Sequence, residues 1–158
     1  MARSRVTARL MGREERDVVI TPHPGEMARL IGTSVEEVQA NRIEVATDFA
    51  TTHRVYVVLK GHRTVVATPE GRVFINPTGN PGMATGGTGD VLTGMIAAWL
   101  AQLLDAEAAC RLGVFLHGAA GDLAEAGEGQ TSMIATDLVG ALGRALATLM
   151  SPRPKTTD

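Results

Sequence analysis

The sequence predicts an α/β protein in which helices pack on a central β-sheet. The segment 55–59, VYVVL, is almost wholly apolar, which is typical of a central strand covered on both faces. A helical segment precedes it and β segments follow it, so the chain alternates between the two kinds of structure. A glycine-rich stretch then runs directly into an apolar helix, VLTGMIAAWL. With 158 residues, the chain has the size of a single domain.

The first half of the chain is predicted to contain one strand and two helical segments before residue 55. The apolar run Asp17–Ile20 predicts a buried strand that ends where a proline follows. Glu26–Ile31 predicts one or two helical turns closed by a glycine. A longer helix begins after Ser34, which stands in capping-box spacing with Glu37, and ends near His53.

The second half continues from the 55–59 strand into a hairpin, a loop and three helices. Two β segments, 64–68 and 72–75, are joined by a Pro-Glu-Gly turn. Asn76–Gly89 is a loop by composition, with five glycines and two prolines. The predicted helices are Asp90–Leu104, Ala106–Ala126 and Ala135–Met150. We expect residues 1–16 to be a charged lead-in, 17–150 the folded domain, and 151–158 a disordered tail.

Composition and charge exclude several classes of protein. The formal net charge is −2, from 15 basic and 17 acidic residues, which excludes a bulk polycation made for nucleic acid. A single cysteine, Cys110, excludes a disulfide framework and a multi-thiolate zinc site. The longest uncharged apolar run, 91–104, is too short to cross a bilayer. We therefore expect a cytoplasmic protein without a nucleic-acid or membrane partner.

The glycine-rich segment before the first of the three helices predicts an anion site. Gly86, Gly87 and Gly89 let backbone N–H groups converge, and the helix that follows adds its free donors and the positive end of its dipole. A nucleotide phosphate is the expected anion. The segment lacks the Gly-Lys-Ser/Thr ending of a Walker loop. The alternative is a tight connection without a ligand.

Asp90 and Lys60 are the charged residues that the pattern associates with this anion site. Asp90 follows the last glycine and is a helix N-cap, a general base that orients an attacking hydroxyl, or both. Lys60 is one of only two lysines beside 13 arginines, and it stands at the carboxyl end of the 55–59 strand. Ligands bind at that edge of open α/β sheets. We predict that Lys60 contacts a nucleotide; the alternative is a solvated surface charge.

Three further residues have competing interpretations. His23 is held between two prolines, and it is either a turn residue at the surface or a substrate contact. His117 and Asp122 lie in the middle of a predicted helix beside two glycines, which favours close packing and satisfied polar groups over catalysis. No cluster of His, Cys and Asp has metal-ligand spacing, so a metal would arrive with the nucleotide.

Four strings follow one another along the chain: TPHPGEMARLIG, VVLKGHRT, NPTGNPGMATGGTGDVLTG and LHGAAGDLA. Together they resemble the ADP-dependent NAD(P)H-hydrate dehydratase family, and GNPGMATGGTGD is the most specific of the matches. The resemblance implies a ribokinase-like layered fold with a mostly parallel central sheet. Members of the family use ADP, or ATP in some lineages, to dehydrate the S epimer of NADHX or NADPHX. The products are NADH or NADPH, phosphate, and AMP or ADP.

The resemblance also assigns roles to residues of this chain. His23 would contact the hydrated nicotinamide nucleotide, and Asp90 would meet its hydroxyl and act as the catalytic base. Gly89 would contact the nucleotide phosphates, with Mg²⁺ accompanying them. The AMP moiety would be lined by five consecutive residues, Lys60, Gly61, His62, Arg63 and Thr64. Backbone amides would form an anion hole for the transferred charge, from Thr85, Gly86, Gly87 and Thr88.

The resemblance begins in the middle of the family's domain. Members carry an N-terminal portion that supplies further strands and part of the substrate pocket, so we expect an N-terminally truncated fold. A sheet cut at one edge favours association, and we expect a homo-oligomer. NAD(P)H-hydrate epimerase, fused upstream in many members, would be the functional partner.

Two other functions stay open from the sequence. A small-molecule kinase of the same fold, acting on a hydroxymethyl or hydroxyethyl group in vitamin metabolism, would share the glycine loop and the Asp90 base. A nucleotide-binding fragment without turnover would also fit. A stable phosphorylated product would indicate the kinase, and ADP binding without any product would indicate the fragment.

Overall fold

The computed structural model describes residues 16–102 and 105–151. Within these ranges the chain forms four strands and six α-helices, and a 3-10 turn at Pro81–Met83 lies in the glycine-rich loop. The elements follow one another as β1 (Val19–Ile20), α1 (Pro24–Ile31), α2 (Val35–Ala40), α3 (Arg42–His53), β2 (Tyr56–Leu59), β3 (Val65–Ala67), β4 (Val73–Ile75), α4 (Thr88–Ala101), α5 (Ala106–Glu128) and α6 (Ala135–Met150). Nearly all of the predicted lead-in and tail lies outside the described residues.

The sheet has the order β1-β2-β3-β4 and is mixed. Strand β1 pairs with β2 in parallel, with Val19 opposite Tyr56. The pairs β2–β3 and β3–β4 are antiparallel, with Val66 opposite both Val58 and Phe74. In the described part of the chain, two of the three strand pairs are antiparallel, so the sheet differs from the mostly parallel sheet that the resemblance implies. The reason is the length of the connections, because links of about five residues join neighbouring strands only as hairpins.

Helices cover both faces of the sheet, which explains why the β2 sequence is apolar throughout. Successive side chains of a strand point to opposite faces, and those of β2 enter different cores. Val57 and Leu59 pack in the core formed with α1, α2 and α3. Val58 packs with Leu92 and Ile96 of α4 and with residues of α5. Helix α6 packs on α5 in a third cluster, so the helices of that side form a second layer beyond the sheet.

The helix predicted from Ser34 to His53 is two helices, broken at Asn41. Ser34 caps α2 as predicted, and its Oγ accepts a hydrogen bond from the Glu37 backbone N–H at 3.1 Å. The backbone of Asn41 leaves the helical region, and its side-chain amide donates to the Glu37 carbonyl at 3.4 Å and to Glu37 Oε1 at 2.7 Å. An asparagine side chain competes in this way with helical hydrogen bonding. The break makes Arg42 the first residue of a new helix, α3.

Candidate functional site

A pocket of about 490 Å³ opens beyond the carboxyl end of β2. This volume lies in the range of small-molecule sites, roughly 300–1,000 Å³. Three segments far apart in sequence form most of its wall: His23 and Pro24 at the start of α1, the turn 60–64, and the loop that leads into α4. Helix α5 lines the remaining side with Val114, His117 and Gly118.

The pocket brings together most of the predicted site residues. Those that line it are His23, Lys60, Gly61, His62, Arg63, Thr64, Thr85, Thr88 and Gly89. Gly86, Gly87 and Asp90 are not among the lining residues, although they belong to the same loop and helix start. The turn 60–64 and part of the expected anion hole therefore share one cavity with His23.

Lys60 places its ammonium group beside the start of α4. A Cβ at Gly89 would lie 2.9 Å from Lys60 Nζ, so the ammonium rests against the backbone of Gly89. The backbone N–H of Lys60 donates to the Pro22 carbonyl at 2.9 Å, which ties the turn to the segment before α1. A lysine charge and a helix N-terminus are both positive. Their close approach favours an anion between them.

His23 caps α1 through its side chain. Its Nδ1 accepts hydrogen bonds from the N–H groups of Gly25 at 3.0 Å and Glu26 at 3.2 Å. Glu26 completes a reciprocal capping box, because its Oε2 accepts from the His23 N–H at 2.6 Å. A neutral ring that accepts at Nδ1 carries its proton on Nε2, which lies 3.5 Å from Glu26 Oε1. His23 is therefore a turn residue that also lines the pocket.

Glu26 lies between two of the pocket residues. Its Oε2 is 3.8 Å from Lys60 Nζ, while the same carboxylate faces His23. The pairing partly balances the lysine charge in a part-exposed setting, where such an ion pair contributes little to stability. Its consequence is geometric, because it links the start of α1 to the 60–64 turn across the pocket mouth.

Asp90 is exposed in the first turn of α4 and does not cap the helix. The N-cap is Gly87, whose φ of 91° lies in the left-handed region that glycine adopts freely. The helix consequently begins at Thr88, two residues before the predicted start, and the interpretation of Asp90 as an N-cap is wrong. Asp90 is instead the third residue of the helix, where the positive end of the helix dipole stabilises its negative charge.

The loop is held against α5 by polar contacts. Asp122 accepts hydrogen bonds from the Gly79 N–H and from Asn80 Nδ2, both at 3.0 Å. His117 Nε2 lies 2.8 Å from the Thr88 carbonyl and donates to it. The prediction that His117 and Asp122 are satisfied polar groups is confirmed, and their contacts hold the pocket wall in place.

Gly118 and Gly121, which lie beside His117 and Asp122, allow the glycine-rich loop to approach α5 closely. A Cβ at Gly118 would lie 2.8 Å from Thr78 Cβ, and one at Gly121 would lie 2.8 Å from Met83 Cγ. The predicted close packing is thus confirmed, but the packing partner is the glycine-rich loop and not another helix. Thr78 adds a hydrogen bond from its Oγ1 to the Phe115 carbonyl at 3.0 Å.

Burial shifts the pKa values of two side chains near this region. Desolvation lowers the pKa of His117, the charge of Lys60 lowers it further, and the hydrogen bond to Thr88 acts in the opposite direction. A neutral His117 ring is the form that these contacts favour. Burial raises the pKa of Cys110 to about 12, which leaves this thiol unreactive.

Arg42 supports the pocket wall and was not predicted from the sequence. Its guanidinium donates to the carbonyls of the segment 59–62, behind the turn that lines the pocket. The acceptors lie 17 to 20 residues away along the chain. No local pattern reveals such a contact, because it depends on the tertiary placement of α3 beside the end of β2.

Two other properties bear on the possible ligands. Among residues 16–102 and 105–151, no group of three His, Cys, Asp or Glu side chains is arranged to hold a metal ion. None of the helices in these ranges is long and apolar enough to cross a membrane.

The fold is that of ribokinase-like α/β proteins. A solved structure of an ADP/ATP-dependent NAD(P)H-hydrate dehydratase from Bacillus subtilis, co-crystallised with ATP/Mg²⁺, matches with a TM-score of 0.83 and 40% sequence identity. The match covers 87% of this chain and 50% of that chain. The predicted fold class is confirmed, with a mixed sheet in the part described.

The sequence relatives agree with this class. A family model described as NAD(P)H-hydrate dehydratase matches residues 4–144. A bifunctional NAD(P)H-hydrate repair enzyme from Moorella thermoacetica is 53% identical over 132 residues, which are 84% of this chain and 25% of the relative. An ADP-dependent (S)-NAD(P)H-hydrate dehydratase from Neisseria meningitidis is 47% identical over 116 residues, 73% of this chain and 39% of the relative.

The chain belongs to the NAD(P)H-hydrate dehydratase family. It spans 25% and 39% of the lengths of the two relatives named and half of the Bacillus structure.

Proposed function

We propose that this chain catalyses ADP-dependent dehydration of the S epimer of NAD(P)H hydrate. The products are NADH or NADPH, AMP and phosphate, and ATP is the alternative phosphoryl donor. The observation that supports this most directly is the convergence of the Lys60 ammonium and the α4 N-terminus on one pocket. The family membership of the chain adds the identity of the reaction.

In this proposal the nucleotide occupies the pocket side formed by residues 60–64. The compact ammonium of Lys60 binds phosphate oxygens, and the N–H groups at the start of α4 bind the terminal phosphoryl group. Gly89 allows the phosphate to approach the helix because it has no side chain. His23 contacts the nicotinamide half of the substrate through the face that its cap contacts leave free, next to the pocket.

The chemistry has two steps. Asp90 accepts the proton of the hydrate hydroxyl as that oxygen attacks the terminal phosphorus of ADP, and the bond from that phosphorus to the bridging oxygen breaks to leave AMP. The lone pair of the ring nitrogen then expels phosphate from the ring carbon. Loss of a proton from the neighbouring carbon restores the double bond. The nucleotide thereby converts hydroxide, a poor leaving group, into phosphate.

The amides of residues 85–89 would stabilise the charge of the transferred phosphoryl group. Mg²⁺ bound to nucleotide phosphates requires only one or two protein carboxylates. Glu26, whose Oε2 lies 3.8 Å from Lys60 Nζ, would supply such a carboxylate, and the cation would neutralise phosphate charge.

The proposal also covers the source of the substrate, the oligomeric state and the cellular location of the enzyme. Because one epimer is the substrate, an NAD(P)H-hydrate epimerase supplies it from the other epimer. Among the described residues, strand β1 is at the end of the sheet order, and pairing at this edge would support self-association into a homo-oligomer. Nicotinamide cofactors and ADP are cytoplasmic metabolites, so we place the reaction in the cytoplasm.

The test is recovery of reduced nicotinamide absorbance from NADHX, with and without ADP and Mg²⁺. We expect recovery that requires ADP and falls roughly a hundredfold or more in Asp90→Asn, since a general base contributes that much to the rate. Asp48→Asn, an exposed aspartate on α3, is the matched control and should retain full activity.

Other outcomes would separate the alternatives. ADP binding without product in any mixture would contradict the dehydratase proposal and indicate a nucleotide-binding fragment. A stable phosphorylated alcohol, formed without any recovery of NADH, would indicate the kinase. Equal rates for Asp90→Asn and Asp48→Asn would remove Asp90 from the mechanism.

A further inference from the structure

The turn 60–64 contains one residue, Arg63, whose backbone conformation its residue type does not favour. Gly61 has a φ of 139°, and Arg63 has a φ of 54°, in the left-handed region that non-glycine residues seldom occupy. All five residues of the turn line the pocket. A turn of this kind persists when surrounding contacts determine it. Contacts from the surrounding structure must therefore hold the turn 60–64.

Arg42 supplies three hydrogen bonds to this segment from behind. Its Nη1 donates to the His62 carbonyl at 2.6 Å. Its Nη2 donates to the carbonyls of Leu59 at 2.9 Å and Lys60 at 3.2 Å. One planar guanidinium therefore spans the end of β2 and the first half of the turn, which a flexible ammonium cannot do.

The fit between Arg42 and the turn is tight. A Cβ at Gly61 would lie 2.9 Å from Arg42 Nη1 and 3.2 Å from its Cζ, so the guanidinium rests directly against the backbone there. Its Nε is buried without a hydrogen-bond partner among the described residues. The side chain is thus placed by its two terminal nitrogens, although burying the third donor carries a free-energy cost. Arg42 itself does not line the pocket.

We propose that Arg42 is a positioning residue for nucleotide binding. It fixes the turn 60–64 in the form that presents Lys60 to the start of α4, and it acts through the turn without touching the ligand. This inference rests on the proposed function for the identity of the nucleotide. The break at Asn41 contributes to this positioning, because it makes Arg42 the first residue of α3, beside the end of β2.

The experiment measures the dissociation constant of ADP by calorimetry and the melting temperature for four proteins. These are the wild type, Arg42→Ala, Arg42→Lys and the control Arg29→Ala, which removes an exposed cation from α1. We expect Arg42→Ala to weaken ADP binding roughly tenfold or more, as loss of charge-assisted hydrogen bonds implies. Arg42→Lys should restore only part of the affinity, and Arg29→Ala should bind as the wild type does.

Rescue by a small molecule separates positioning from general stability. Millimolar methylguanidinium should restore ADP affinity to Arg42→Ala and leave the wild-type affinity unchanged. Hydrogen exchange supplies a readout that needs no ligand. The Lys60 amide, which donates to the Pro22 carbonyl at 2.9 Å, should exchange faster in Arg42→Ala, while the amides of the β3–β4 hairpin stay as in the wild type.

Wild-type affinity in a folded Arg42→Ala protein would overturn the proposal. If Arg42→Ala does not fold, a folded Arg42→Lys with wild-type affinity and wild-type exchange at the Lys60 amide would overturn it equally. If the wild type itself binds no ADP, the proposed function fails, and the exchange rates decide the role of Arg42 separately. An unchanged rate at the Lys60 amide in Arg42→Ala would then contradict that role.

Discussion

At the scale of single residues, His117 connects the ionisation of one ring to the shape of the pocket. The ring lies on α5, lines the pocket and donates from Nε2 to the Thr88 carbonyl at 2.8 Å. Burial and the nearby Lys60 charge lower its pKa. His117 therefore stays a neutral hydrogen-bond donor, because a protonated ring would place a second positive charge beside Lys60.

The lowered pKa of His117 makes the stability of the protein dependent on pH. As the pH falls below the ordinary histidine pKa of about 6.5, the unfolded chain takes up a proton that the folded chain resists. The contribution of His117 is present above that pH and is lost as the pH falls, by at most about 1.4 kcal/mol per pH unit. His117→Gln keeps a donor but does not titrate.

The measurement is urea unfolding of the wild type and His117→Gln between pH 7.5 and pH 5. The difference in unfolding free energy between the two proteins should shift in favour of the variant as the pH falls. A difference that stays constant across this range would mean that the pKa of His117 is not lowered in the folded state.

The residues that could be predicted from the sequence are those whose contacts are local or whose type is rare in the chain. Lys60 stood out as one of two lysines, and it lines the pocket, while its contact with a nucleotide stays a prediction. The sequence leaves two roles open for His23, a turn residue and a substrate contact. Only the structure shows that its ring nitrogen caps the helix that follows. Arg42 could not be predicted, since 13 arginines look alike until α3 is placed beside β2.

At the scale of elements, the loop 76–89 behaves as part of α5. Thr78 and Asn76 bind carbonyls of the helix, and Asp122 binds the loop in return. The helix offers glycine where the loop approaches most closely, at Gly118 and Gly121. The shape of the pocket wall is therefore set by helix packing as much as by the loop sequence.

A methyl group at Gly118 should disturb this contact. In Gly118→Ala the new Cβ would lie 2.8 Å from Thr78 Cβ and 2.7 Å from the Thr78 carbonyl carbon, so the loop must move. Overpacking of this kind costs roughly 1–3 kcal/mol. We expect a lower melting temperature and weaker ADP binding, measured by thermal denaturation and calorimetry.

Gly140→Ala is the matched control on α6. Nothing lies within 4 Å of a Cβ at this exposed helical position. The same change should therefore stabilise the protein by about 0.5–1 kcal/mol, because alanine favours the helix over glycine. Equal effects of the two substitutions would show that the loop does not depend on the close approach at Gly118.

Element types were predictable where a period or a turn was strong, and boundaries were less so. The bounds of α6 agree with the prediction, and the β3–β4 hairpin lies where the Pro-Glu-Gly turn placed it. The split between α2 and α3 escaped prediction because it falls at a single residue, Asn41, with no proline or glycine to mark it. The start of α4 was missed by two residues, since a left-handed glycine at 87 precedes it.

At the scale of the whole molecule, ligand binding should join segments that are separated in sequence. The pocket uses the start of α1, the turn after β2, the loop before α4 and one side of α5. A ligand that binds only this assembled form stabilises the fold in proportion to the logarithm of its concentration. At a hundredfold excess over the dissociation constant, the gain is about 2.7 kcal/mol.

ADP should accordingly raise the melting temperature of the wild type by roughly 5–10 °C at that concentration, the shift such a gain implies for a chain of this size. Lys60→Met should lose most of the shift, because the helix N-terminus alone then faces the phosphates. Arg29→Met, which removes an exposed cation from α1, should keep it. Adenosine, which has no phosphate, should give little shift with any of the three proteins. An equal ADP shift in Lys60→Met and the wild type would place the nucleotide phosphates away from Lys60, and the pocket would then need another ligand.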